Sequence, residues 1–407
     1  MRILFLSDNF PPESNAPARR VHEHASAWVD RGHQVTVITC APNFPHGEVF
    51  PGYRNRWYTR ETIDGIEVVR VRTYISANEG FWKRSLDYIS FMFAGLLGGL
   101  VQARPDVIVG TTPQFFTAVG TWLLATARRR PFVLEVRDLW PASIIAVGAL
   151  RPGRTARILE RLELFLYRRA TSIVAATESF KRDMVGRGIP ADKICVVRAG
   201  ADRGQFYPRA KDQELLRRLG LAGKFVVGYV GTHGLAHGLE SVVEAAERLR
   251  ENPSIAFLLA GGGARLEMLR ARVADKALGN VLLLGPQPKE MAARILSVCD
   301  LALVPLRDDP LFRTVLPTKM IEAIAMGLPI LIAVPEGEAT EIVREYAVGM
   351  IVPPCDAEQL AAAIAGLQAD PSRLATYAGA SVSAARHFTR DVQAARMLSV
   401  LIDAAGR

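Results

Sequence analysis

"LPTKMIEAIAMGLPIL", residues 316–331, reads as a helix feeding a strand. Pro317 suits a first helical position and Gly327 a C-terminal cap, and the run 328–331 turns β-like. Thr318 and Lys319 then lie in the opening turn, where a cation opposes a macrodipole whose N-terminal end is already positive. Glu322 stands one turn further on. A solvated i, i+3 ion pair would account for these two charges. A bound anion at that helix end would account for the misplaced cation as well.

Outward from this segment, short apolar runs alternate with longer helical patterns, the signature of βαβ units and parallel sheets. In the first half the strand candidates are 2–6, 34–39, 67–72, 106–109, 132–136, 172–176 and 194–197, and in the second half 225–230, 256–260, 281–284, 301–304, 330–333 and 350–352. The fold class expected is α/β, with two doubly wound Rossmann-like domains facing across a cleft. The domains expected are 1–198 and 199–386, joined near "RAGADRGQFYP" (198–208). Residues 387–407 give one more helix, which could pack on either domain, a return to the first being one option. In open sheets of this kind ligands bind outside the carboxyl ends of the strands, where loops enter helix N-termini.

The 407 residues are 49% hydrophobic and 22% charged, as in a soluble globular protein, and two domains suit that length. The apolar run in MRILFLSDNF is too short for a signal peptide, so no secretory export is expected. Cys40, Cys195, Cys299 and Cys355 are widely spaced, which suggests reduced thiols rather than a disulfide framework or a zinc site. Residues 1–200 hold 27 Lys/Arg against 18 Asp/Glu, whereas residues 201–407 hold 23 against 23, so the whole +9 lies in the first half. Such asymmetry points to a polyanionic partner. Nothing resembles a nucleic-acid module, so an anionic membrane surface is expected and nucleic acid is not. "FWKRSLDYISFMFAGLLGGLVQAR" (81–104) has Lys83 and Arg84 at one end and Arg104 at the other. Its uncharged run is shorter than the roughly 20 residues needed to cross a bilayer. It reads equally as a buried helix and as an interfacial one.

Three glycine-bearing turns follow strands in the second half: "GYVGTHGLAHGLE" (228–240), "LLAGGGARLE" (258–267) and "LLLGPQPKE" (282–290). Backbone N–H groups at such turns can cradle phosphate without a metal. There is no G-x-x-x-x-G-K-[ST] loop, which disfavours a P-loop ATPase. No G-x-G-x-x-G follows the first strand, which disfavours a nicotinamide dehydrogenase. "RDDP" (307–310) reads as a solvated loop rather than a metal site.

The motifs "DNFPPESNAPARRVHEHA", "GHQVTVIT", "EVRDLWP", "GTHGLAHGLE" and "PTKMIEAIAMGLPI" together resemble retaining glycosyltransferases of the GT-B fold, family 4. Within that family the chain is most similar to a bacterial polysaccharide branch of fucosamine and N-acetylaminosugar transferases. The resemblance implies a nucleotide-sugar donor on the second domain and an acceptor on the first. It implies that Glu322 holds the ribose hydroxyls, that Lys319 and Thr318 face the diphosphate, and that Gly285, Pro286 and Gln287 meet the base. Gly231, Thr232, His233 and His237 would form the donor loop. Many members carry Arg and Lys where Thr232 and His237 stand, a glutamate where Thr314 stands, and a histidine where Arg137 stands, followed here by Asp138. His233 or His237, with Lys319, is inferred to take over part of the diphosphate neutralisation, though each histidine could equally be a solvated turn residue. Arg137 and Asp138 belong either to the catalytic cleft or to a structural ion pair. Asn15, Ala16, Pro17 and Arg19 form a candidate acceptor or phosphate loop, while His22, Glu23 and His24 are expected on the helix surface.

The expected reaction is transfer from a UDP-sugar, often an N-acetylaminosugar, with no cofactor and no metal. Charge building on the departing diphosphate would be met by fixed N–H dipoles and Lys319, and no pair of glycosidase-like carboxylates is evident. The acceptor is expected to be a lipid-linked saccharide, met by a peripheral protein on the cytoplasmic face of the inner membrane during exopolysaccharide, capsule or lipopolysaccharide O-antigen assembly. Two alternatives stand beside it: a nucleotide-sugar 2-epimerase of the same fold, and a non-catalytic nucleotide-sugar-binding partner.

Overall fold

The computed structural model describes residues 1–76, 81–112, 114–146, 150–151, 153–288 and 290–406. It divides into two compact units: Met1–Arg198 with Gln393–Arg407, and Ala199–Val392.

The first unit is built on strands β1 (Arg2–Leu6), β2 (Gln34–Cys40), β3 (Tyr58–Ile63), β4 (Ile66–Val71), β5 (Val107–Thr111), β6 (Phe132–Val136), β7 (Ser172–Ala175) and β8 (Ile194–Val196). They lie in the order β3-β4-β2-β1-β5-β6-β7-β8. Every neighbouring pair is parallel except β3 with β4. β3 was not among the expected strands. Its sequence YTRETI has no buried face, because it is an edge strand paired on one side only. Period-two alternation sorts the central strand between two cores. Leu4 and Leu6 join Ile38, Ile108 and Leu134 on one face. Ile3 and Phe5 join Val35, Trp28 and, from the chain's end, Met397 and Leu401 on the other.

Three helices of this unit matter below: α1 (Ala16–Val29), α2 (Phe81–Leu100) and α3 (Phe115–Arg128). α2 lies close on α3 because Gly99 has no side chain; a Cβ there would come within 2.3 Å of Leu124 Cδ2. No helix among the described residues is long and apolar enough to cross a membrane.

The second unit carries β9 (Phe225–Val230), β10 (Ile255–Ala260), β11 (Val281–Gly285), β12 (Leu301–Pro305), β13 (Ile330–Ala333) and β14 (Gly349–Val352) in the order β11-β10-β9-β12-β13-β14, all parallel. Both faces are covered, so these strands read as continuous apolar runs. Val227 and Tyr229 face one core, while Ala302 and Val304 face another. In each sheet the strand order reverses at one point, between β1 and β5 and between β9 and β12. Those reversals open a crevice at the carboxyl edge.

Candidate active site

In the second unit, β9 runs into its crevice at Gly231, and the turns after β9, β10 and β11 are stitched together there by backbone hydrogen bonds. Gly231 N donates to Ala260 O at 2.9 Å, Gly261 N to Gly285 O at 2.9 Å and His233 N to Gly262 O at 2.8 Å. Gly261 is obligatory for this approach, since a Cβ on it would stand 1.7 Å from Gly231 O. Pro286, exposed beyond Gly285, packs over Gly262. The glycines therefore serve both turn geometry and closeness of three loops.

The helix Thr318–Ala325 enters the same crevice. Pro317 is its N-cap, with φ −65° and ψ 126°, not its first helical residue as the sequence suggests, and Gly327 follows the C-cap with φ +72°. Lys319 does not turn to solvent. Its Nζ donates to Tyr229 Oη at 2.7 Å, lies 4.2 Å from the centre of that ring and 3.2 Å from His237 Nδ1. Tyr229 in turn donates to Thr232 O at 2.6 Å. Burial pulls the Lys319 ammonium down to about 7, with Glu322 acting through space in the opposite sense. Burial, then Lys319, lowers His237 to about 4, so this imidazole is neutral at pH 7. The Pro305 backbone also bonds that ring. The tautomer protonated on Nε2 satisfies both partners, leaving Nδ1 to accept from Lys319.

His233 is 0% exposed, and neither ring nitrogen has a hydrogen-bond partner. Burial, Lys319 and Arg270 all keep it neutral. It is thus no turn histidine in water, and a buried imidazole with nothing to bond is a group waiting for one. Thr232 and Thr318 are exposed and Glu322 is half-buried. The Thr314 hydroxyl closes on its own turn, donating to Leu311 O at 3.3 Å, and Gln287 Nε2 folds back to Leu284 O at 3.0 Å. Tyr229 was missed by sequence reasoning because a tyrosine inside an apolar strand reads as core.

In the first unit, Asn15 caps α1, its Oδ1 accepting from Ala18 N at 2.9 Å while its Nδ2 donates to Asn9. Ala16 is exposed, and Pro17 and Arg19 are half-buried. Arg20 is a structural cation, with Nε 2.6 Å from Glu135 Oε1 and both Nη atoms on the carbonyls of Val197 and Arg198. Burial opposes ionisation of Glu135, but Arg20 and Arg137 hold it ionised, with a pKa of about 2. Arg137 and Asp138 both donate backbone N–H to Thr112 Oγ1, at 2.8 and 3.2 Å. Their side chains part: Asp138 is half-buried beside Ser143, while Arg137 lies toward Glu135 and Asp8 with a buried Nη1 that has no partner. His24, expected on the surface, is 5% exposed and edge-on to Trp28, because α1 turns it under the sheet. His22 pairs with Asp64 at 2.8 Å. Among the described residues no group of three His, Cys, Asp or Glu side chains could hold a metal ion.

Comparison with known proteins gives this geometry a family. The model described as "Glycosyl transferase 4-like domain" matches residues 15–200, and the one described as "Glycosyl transferases group 1" matches residues 212–381. The WcaI protein of Escherichia coli K12, assigned as a colanic acid biosynthesis glycosyl transferase, is 27% identical over 80% of this chain and 82% of its own. A GDP-mannose-dependent alpha-mannosyltransferase of Mycobacterium tuberculosis is 26% identical over 94% of this chain and 92% of its own. In fold, the chain is similar to sucrose-phosphate synthase from Thermosynechococcus elongatus, with a TM-score of 0.77 at 18% identity over 99% and 98% of the two chains. It is also similar to Anabaena HepE, solved with UDP and glucose, with a TM-score of 0.71 at 19% identity over 99% and 100%. Two group-defining models matched in order on two Rossmann-like units, and transferase relatives aligned along both, place this chain in the GT-B glycosyltransferases of family 4, group 1, and make it an enzyme.

Proposed function

We propose that the chain moves a sugar, an N-acetylaminosugar in our reading, from a UDP-sugar to a saccharide acceptor with retention at the anomeric carbon. The observation that carries the reading is Lys319: a half-buried cation at a helix N-terminus whose ammonium meets a hydroxyl and a neutral imidazole in the crevice, with the Glu322 carboxylate acting on it through space. A diphosphate in that crevice would bring negative charge to the ammonium and meet the helix end at once. His233 would supply a further N–H for a phosphate or sugar oxygen.

In the proposed step the bond from the anomeric carbon to the diphosphate oxygen breaks, and its electron pair leaves with the nucleoside diphosphate. The acceptor oxygen forms the new bond on the same face and passes its proton to the departing phosphate. Lys319, the N-terminus of its helix and the turn N–H groups oppose the charge that builds on the leaving group. Glu322 would take the ribose hydroxyls. The names of the relatives support a setting in bacterial surface polysaccharide assembly. A lipid-linked acceptor at an anionic membrane face is supported by the basic first half of the chain and by an exposed apolar stripe on α2. The transferase relatives do not favour an epimerase or a non-catalytic partner.

The test is isothermal titration of the protein with UDP, GDP and ADP, with and without chelator. The expected outcome is metal-independent binding of UDP in preference to the others, weakened at least tenfold in Lys319→Ala, as the loss of a charge-assisted hydrogen bond implies. Absence of binding by all three nucleotides, or equal affinity in the variant, would overturn the reading.

A further inference from the structure

Tyr229 is the last residue but one of β9, and its side chain is 0% exposed, in one core with Val227, Leu259 and Leu331. A buried phenol needs one partner for its hydroxyl, and Thr232 O supplies it at 2.6 Å. The same oxygen nevertheless meets Lys319 Nζ at 2.7 Å. Its one proton is spent on Thr232, so toward the lysine the hydroxyl can only accept. Burial raises the phenol above its ordinary value, so it keeps that proton throughout the working pH range.

The lysine could do otherwise. A half-buried lysine at the start of a helix can reach water along its four-carbon stem, and this one bends over a glycine instead. A Cβ on Gly231 would stand 3.1 Å from both Cε and Nζ of Lys319 and 3.4 Å from Tyr229 Oη. The ammonium lies 4.2 Å from the centre of the Tyr229 ring and 3.2 Å from His237 Nδ1, which also accepts. Two of its three N–H donors are thereby taken, and the third remains for a ligand. The titratable or charged groups that face it are Tyr229 from β9, His233 and His237 from the loop that follows, and Glu322 on its own helix. Both histidines are neutral at pH 7, and Glu322 acts through space. Of the two atoms that bond the ammonium, the hydroxyl is the nearer. It is also anchored twice, in the core through its ring and on the loop through Thr232.

We propose that Tyr229 is the positioning residue of the donor site: its hydroxyl pins the Lys319 ammonium in place, and in its charged form, before the diphosphate arrives. The inference rests on the reading that Lys319 meets the diphosphate, and adds what prepares it to do so. A bond accepted from the ammonium favours the charged form, which burial opposes. A cation fixed beforehand needs no reorganisation when charge builds on the leaving group. The bond to Thr232 O ties the donor loop to the same fixed point.

Tyr229→Phe tests this, since it keeps the ring in the core and removes one oxygen. In protein carrying isotopically labelled lysine, the Lys319 signal, identified by its loss in Lys319→Met, is followed by NMR against pH without nucleotide. Its midpoint should fall by about one pH unit in Tyr229→Phe. UDP affinity is then measured by calorimetric titration at pH 5.5 and pH 8 in both proteins, and the ratio between them cancels the nucleotide's own ionisation. The variant should bind about tenfold more weakly at pH 8, and at most about threefold more weakly at pH 5.5, where the lysine is charged in both. A purely structural role gives one ratio at both pH values. An unchanged midpoint, or a ratio that does not vary with pH, overturns the inference, and normal UDP binding by the native protein then leaves the donor reading standing. If the native protein binds no UDP, the donor reading falls, and the NMR midpoint alone decides whether Tyr229 sets the charge of the lysine.

Discussion

A lysine buried against a tyrosine hydroxyl and a neutral histidine sits near its own titration point at pH 7, since burial pulls Lys319 to about 7. A diphosphate placed beside it favours the ammonium form and raises that value. Nucleotide binding above pH 7 must then take up a proton, and affinity must fall as pH rises, approaching about tenfold per pH unit once the free lysine is mostly neutral. His237 adds nothing to this slope, because at about 4 it stays neutral throughout. Titrations in buffers of different ionisation enthalpy across pH 6.5–9 measure the uptake directly. It should vanish in Lys319→Met, and a pH-independent affinity in the native protein would show that Lys319 does not face the phosphates. Lys319 stood out in the sequence because a cation at a helix N-terminus breaks a local rule, and the structure answers it with Tyr229 and His237 as its partners in the crevice. Tyr229 and Asp8 break none. One reads as a core aromatic and the other as a turn acid, and only the packing shows that each completes a polar cluster.

At the scale of elements, the parallel strands were legible because burial on both faces makes them short continuous apolar runs between glycines and helices. β3 was not, although the Asp64–Gly65 dipeptide, both residues at positive φ, is a hairpin signal that stands in the sequence. α2 shows the limit of periodicity: its sequence allows a buried or an interfacial helix, and the structure buries one face while leaving an apolar face exposed. Phe91 is 1% exposed, whereas Leu86, Phe93, Leu97 and Val101 are 56%, 54%, 64% and 69% exposed. At 100° per residue those four fall within an arc of roughly 80°. Lys83 and Arg104 are exposed at either end, and Arg128 bonds the carbonyls of Leu100 and Gln102 at 3.0 and 2.8 Å. The Arg84 side chain lies outside the described residues. An apolar stripe bracketed by cations fits an anionic interface. Leu97→Glu with Val101→Glu should lower partitioning onto phosphatidylserine vesicles at least tenfold in a co-sedimentation assay, since each exposed aliphatic contributes about 1–2 kcal/mol when it enters the bilayer. Nucleotide affinity should not change. Undiminished sedimentation would leave the stripe without its partner.

At the scale of the molecule, the chain leaves its first unit at Arg198, builds the second, and returns at Gln393. The second unit is thus an insertion, and the first is completed only by residues 393–407. Those residues are not ornamental to it. Met397, Leu398, Leu401 and Ala404 lie in the same core as Ile3, Phe5 and Trp28, and Trp28 Nε1 donates to Ala394 O at 2.9 Å. Four buried apolar side chains at about 1.5–3 kcal/mol for each large one, less what a compact unfolded chain already hides, amount to several kcal/mol. That approaches the whole stability of a typical domain, about 5–15 kcal/mol. Deleting residues 393–407 should therefore lower the melting of the first unit, while leaving the second unit, whose core lies within 199–392, close to its native transition. Nucleotide should raise only the second transition, by RT ln(1 + [L]/Kd), because the proposed donor site lies wholly in that unit. Scanning calorimetry of the native and shortened chains, each with and without UDP, separates the two effects. If the deletion and the nucleotide both move one common transition, the units unfold together, and the division of core and ligand between them has no thermodynamic counterpart.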